Sequence, residues 1–98
     1  MLVYKLLRAG EWAEFEAGGT FAGSADDLRD GFIHLSTTEQ VEGTRAKYFA
    51  GIAVVRVACD GDRLGPALRW EPSRGGALFP HLYRPLTTAD VVEAVPLA

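Results

Sequence analysis

A single cysteine in 98 residues denies this chain an internal disulfide, so its fold must rest on a hydrophobic core. Surface scaling gives roughly 5,500 Å² exposed when folded against roughly 15,000 Å² unfolded, which is enough burial for one modest core. One domain spanning residues 1–98 is therefore expected. A TIM barrel, at about 250 residues, is excluded, and a full dinucleotide-binding Rossmann domain is hard to accommodate. Hydrophobic residues make up 48%, as in a soluble globule. No apolar stretch approaches the roughly 20 residues that span a bilayer. Met1 to Lys5 runs straight into a strand-like pattern and lacks the features of a signal peptide. With one unpaired thiol, a cytoplasmic protein with no membrane partner is expected.

Ten Lys and Arg against 13 Asp and Glu give a net charge of −3, with the signs mixed and no basic run. That argues against DNA and other non-specific nucleic-acid binding, which rests on phosphate neutralisation. A small phosphate-bearing ligand remains compatible, because one or two arginines suffice to hold it.

Glycine and proline punctuate the chain rather than forming a tether. Leu2 to Leu7 reads as a strand with both faces partly covered, Lys5 interrupting one of them. Gly10 to Ala17 reads as a short helix. Ser24 caps one helical turn that Gly31 stops. Phe32 to Leu35 is a strand, after which Ser36 or Thr37 is expected to cap the longest helix, closed by Gly51. Ile52 to Ala58 is a β-branched strand, followed by a turn at Asp60-Gly61-Asp62. Leu68 to Glu71 is extended, and Pro72 keeps Glu71 out of the helical region. Ser73 to Gly76 is a loop, His81 to Tyr83 is extended, Thr87 or Thr88 caps a single turn, and Val91 to Val95 is the last strand. The fold class is α+β, one compact domain with a bent or split mixed β-sheet and two main helices.

His34 is the sharpest single residue, placed on a strand directly before an expected helix start. There, Ser36 and Thr37 would meet an anion with backbone N–H groups and the helix dipole. His34 and Ser36 share a face of the strand and suit a ribose hydroxyl or a phosphate. The plainer reading makes Ser36 a cap and His34 a partner for a local carbonyl. His81, flanked by Pro80 and large apolar residues, points either into the same cleft or into a structural hydrogen bond. Trp70 offers a stacking surface, Glu71 a carboxylate able to act as general base, and Arg69 and Arg74 bidentate phosphate contacts. Alternatively, this segment is an edge strand whose Trp70 covers the core and whose charges face water. A metal between His34 and His81 would need a further ligand from Cys59, Asp60 or Glu71, and no spacing supports one. Cys59 reads as a buried structural thiol. Asp26, Asp27 and Asp30 read as a solvated cap region, with a cleft rim as the alternative. Trp12, Phe15, Tyr48 and Phe49 read as core residues.

Gly31-Phe32-Ile33-His34-Leu35-Ser36-Thr37, Gln40-Val41 with Gly43-Thr44, Leu68-Arg69-Trp70-Glu71, and Gly76 with Leu78-Phe79-Pro80-His81-Leu82-Tyr83 together resemble the bacterial domain-of-unknown-function family 952 (DUF952). That resemblance covers nearly the whole chain and brings no activity. A more distant resemblance, through His34-Leu35-Ser36, is to the ADP-ribosyltransferase fold and its NAD-consuming RNA 2′-phosphotransferases. It implies NAD as cofactor, with His34 and Ser36 on the nicotinamide ribose or amide and an arginine on phosphate. Those enzymes are longer, and their phosphate-binding arginines are not matched here one by one.

The expected function is a nucleotide pocket for NAD or an ADP-ribose-like ligand, with ADP-ribosyl or phosphoryl-group transfer. His34, Glu71 and His81 are its candidate catalytic residues, and His34, Ser36, Thr37, Arg69, Trp70 and Arg74 its candidate binding residues. The alternatives are a non-catalytic binding or accessory module and a small hydrolase, although no convincing nucleophile triad is visible.

Overall fold

The computed structural model describes the backbone of residues 1–98 and every side chain except that of Arg74. The elements run β1 (Leu2–Arg8), α1 (Ala9–Gly18), β2 (Thr20–Phe21), α2 (Ala25–Asp30), β3 (Ile33–His34), β4 (Ser36–Thr37) and α3 (Val41–Tyr48). They continue through β5 (Val54–Asp60), α4 (Gly61–Leu64), β6 (Leu68–Pro72), β7 (Leu78–Leu82), β8 (Leu86–Thr87) and β9 (Val91–Leu97). The strands form a four-stranded sheet in the order β4-β1-β5-β9, a three-stranded sheet β3-β7-β6 and a β2-β8 pair. The fold is α+β with a split sheet. All ladders among the described residues are antiparallel, so the parallel pairing implied by a mixed sheet is not found, and no βαβ unit forms.

Alternation along β1 explains the layers. Val3 and Leu7 enter the main core with Phe15, Ile33, Val57 and Leu82, between the two larger sheets. Leu6 on the other face joins Val41 and Val54, and Tyr4 and Phe49 pack against them. Lys5 falls on the main-core face yet is buried, which requires a partner. The exposed surface of 5330 Å² agrees with the scaling estimate for a folded chain of this length.

Several boundaries differ from expectation, each for a physical reason. Ser36 and Thr37 do not cap a helix. They are held by the β1 ladder, in the register Tyr4↔Ser36 and Val3↔Thr37. The reciprocal bonds between Thr37 and Gln40 do form, at 3.2 and 3.1 Å, but they close a turn ahead of α3, which starts at Val41. The anion site expected at a helix start at Ser36 and Thr37 is therefore not formed. The longest helix is α1, not α3. Gly51, at φ +73°, sits in the turn beyond α3 and delays β5 to Val54. β5 then pairs with β1 as far as Asp60, whose side chain accepts from the Asp62 N–H at 3.0 Å to cap α4. The caps at Ser24, Gly31 and Thr87 lie where the sequence puts them.

Candidate functional site

The chain changes sheets at Leu35. β3 pairs with β7, Ile33↔Leu82 and His34↔His81, while β4 pairs with β1. The β1–β4 ladder ends at Tyr4, so Lys5 to Arg8 have no strand on that edge among the described residues. A wedge opens between the sheets there, forming a cleft of about 580 Å³. His34, Ser36 and His81 line it, together with Lys5, Arg8, Asp27, Asp30, Tyr48, Phe49 and Phe79.

Asp27 organises one wall. Its buried carboxylate accepts from the Ser24 N–H at 2.9 Å and from the His34 N–H at 3.1 Å. It also faces His34 Nδ1 at 2.7 Å and accepts from Lys5 Nζ at 2.8 Å. Burial alone would raise its pKa. The hydrogen bond from His34 and the Lys5 charge outweigh that and hold the carboxyl well below the usual range. Lys5 Nζ donates as well to the His34 carbonyl at 3.2 Å. The buried lysine thus ties β1 to α2 and β3. Asp30 Oδ2 lies 3.0 Å from His34 Nε2, and its pKa is lowered by the Arg29 hydrogen bond first and by His34 less strongly.

His81 and Phe79 line the cleft from the other sheet, and the groups that hold His81 lie behind it. Phe32 stacks on the His81 ring at 4.1 Å and 28°, and the His34 and His81 ring centres are 5.5 Å apart. His81 Nδ1 lies 2.8 Å from Glu71 Oε1, which also accepts from the Tyr83 hydroxyl at 2.7 Å. These two bonds, Tyr83 first, lower the pKa of Glu71.

The sequence-derived candidates divide as follows. His34, Ser36 and His81 meet in the cleft. Glu71 stands behind His81 and reaches the cleft only through it. Thr37 is engaged in its turn with Gln40. Arg69 and Trp70 are outside the cleft. Arg69 lies over the Tyr83 ring at 4.8 Å. Trp70, one residue on, projects from the opposite face of β6 and is exposed. The Arg74 side chain lies outside the described residues. Asp26, Asp27 and Asp30 are not a simple solvated cap, since all three line the cleft and Asp27 is buried. Tyr48 and Phe49 line it as well, Tyr48 being exposed rather than core. Cys59 is buried, its thiol pushed up to about 12 by desolvation first, which leaves it unsuited to nucleophilic chemistry. Among the described residues no group of three or more His, Cys, Asp or Glu side chains is placed to hold a metal ion. No helix among them is long and apolar enough to cross a membrane.

Sequence reading missed Arg8, Lys5 and Phe32. Arg8 is the last residue of β1 and its guanidinium sits over the Phe49 ring at 5.4 Å. The one signal available was a charged residue, Lys5, at a core position of a strand, which implies a buried counter-charge.

A family model described as "Protein of unknown function (DUF952)" matches residues 6–94. The crystal structure of protein CC0527 from Caulobacter crescentus, a Northeast Structural Genomics Consortium target, is 52% identical. It covers 100% of this chain and 87% of that one, with a TM-score of 0.96. The solution NMR structure of the same protein gives 53% identity, 96% and 82% coverage, and a TM-score of 0.86. No curated protein matches the chain.

Proposed function

The chain belongs to the DUF952 family, and from that footing we propose that its cleft binds a small nucleotide of the NAD or ADP-ribose class. The observation that carries this reading is a cleft of about 580 Å³ that His34, Ser36 and His81 line from three strands, His34 and Ser36 being held by protein partners and His81 keeping one ring nitrogen for a ligand. Small-molecule sites typically measure about 300–1,000 Å³ and combine apolar walls with a few convergent polar groups. Tyr48 and Phe49 also line the cleft and add aromatic surface to it. Among the described residues Arg8 is the cation offered to a phosphate, because Lys5 is held by Asp27 and Arg29 by Asp26 and Asp30. The likeness of His34-Leu35-Ser36 to the NAD-consuming RNA 2′-phosphotransferases supports the same ligand class and, as a reaction, ADP-ribosyl or phosphoryl-group transfer. One observation favours binding without turnover. Both ring nitrogens of His34 already face carboxylates, so this histidine serves the cleft as a fixed wall.

The test is calorimetric titration of the full chain with NAD, ADP-ribose and nicotinamide. ADP-ribose is expected to bind, and Arg8→Gln to weaken it by about tenfold or more, as loss of a hydrogen bond to a charged group does. Nicotinamide, with no phosphate, should be unaffected by that change. No heat from any of the three at millimolar concentration would overturn the reading. A nicotinamide-release assay on NAD then separates transferase from binding module.

A further inference from the structure

The two histidines of the chain stand side by side in the cleft, and their surroundings give them different chemistry. His34 has a carboxylate oxygen at each nitrogen, Asp27 Oδ1 at 2.7 Å from Nδ1 and Asp30 Oδ2 at 3.0 Å from Nε2. Neither nitrogen is left for a ligand. His81 has one carboxylate, Glu71, at Nδ1. An ionised carboxylate only accepts, so the proton of a neutral His81 ring must sit on Nδ1, leaving the lone pair on Nε2. The Tyr83 hydroxyl bonds the same Glu71 oxygen, which favours the charged carboxylate. Phe32 stacked on the ring fixes its plane. His81 lines the cleft and Glu71 does not, and with Nδ1 taken by Glu71 the only ring nitrogen left for a ligand is Nε2. Among the described residues nothing hydrogen-bonds to that nitrogen.

We infer that His81 Nε2 is the hydrogen-bond acceptor of the cleft, taking up a ligand hydroxyl, with Glu71 as its positioning residue. The inference rests on the proposed ligand site and assigns the chemistry within it. The ligand O–H donates to the Nε2 lone pair and no covalent bond breaks, while Glu71 holds the ring in the Nδ1–H tautomer that keeps that lone pair available. The ligand class is a polyol or ribose-bearing molecule that presents a hydroxyl deep in the cleft.

The test uses the full chain labelled with ¹⁵N in its histidine rings, which gives only four ring-nitrogen signals. Long-range ¹H–¹⁵N spectra at mildly alkaline pH report the tautomer, and titration with ADP-ribose reports contact. The expected result is an Nδ1–H tautomer at His81, with the Nε2 signal moving on ADP-ribose addition while Nδ1 stays. Glu71→Ala should lose that tautomer preference and the Nε2 response. Tyr83→Phe, which leaves the Nδ1 bond in place, should keep both and serves as the folding control. An Nε2–H tautomer in the unmodified chain overturns the inference. So does ADP-ribose binding that shifts cleft amides but leaves Nε2 unmoved, and in that case the ligand site itself stands. If no amide moves, the ligand site fails and this inference falls with it.

Discussion

Removing the Asp27 carboxylate would leave the Lys5 ammonium buried beside the His34 carbonyl with no counter-charge. Breaking one side of a buried pair typically costs about 3–5 kcal/mol. Asp27→Ala is expected to lose about that much in urea denaturation, far more than Asp26→Ala, whose side chain is two-thirds exposed. The pH dependence has a definite sign. The folded-state pKa of Asp27 is depressed, so its contribution is complete above the unfolded value of about 3.9 and is lost as pH falls below it. Stability should therefore decline below about pH 4 in the unmodified chain, and Asp27→Asn should flatten that decline while being weaker at neutral pH. Denaturation midpoints across the acid range check both. Asp27 was visible in the sequence only as one of several acidic residues near a cap. Its counter-charge lies 22 residues earlier, and no local pattern links the two.

At the scale of elements, α2 is the piece that closes the cleft wall, and its approach is tight. Gly23 has φ +137°, and a Cβ there would lie 2.7 Å from the Asp27 Cβ. Gly23→Ala combines backbone strain with that clash, so a loss of more than about 1 kcal/mol is expected. Gly43, inside α3, has open space around its Cα. Gly43→Ala should raise stability by roughly 0.5–1 kcal/mol, the helix-propensity difference. Thermal melts of the two variants should move in opposite directions. Local signals of this kind were legible, and the caps of α2 and the turn at Thr88–Asp90 follow from the residues alone. β4 was not, because Ser36 and Thr37 are good caps by local chemistry. A long-range ladder with Tyr4 and Val3 overrode that preference.

Over the whole molecule, the α+β class follows from the pattern of elements. The place where the sheet splits does not, since it depends on which partner each half of the Ile33 to Thr37 segment finds. The split creates the cleft, and the main core holds its two sides together. Leu82, fully buried on β7, packs in that core with Val3, Leu7 and Val57 from the other sheet. Leu82→Ala should cost about 2–5 kcal/mol in a single cooperative denaturation transition. The most direct measurement of all is a backbone-amide NMR titration with ADP-ribose, with NAD and nicotinamide alongside. Shifts gathered at Arg8, His34 to Ser36, Tyr48 and His81 are predicted, with Arg69 and Trp70 unmoved. Shifts centred on Trp70 and the outer face of β6, or none at millimolar ligand, would contradict a ligand site in the cleft.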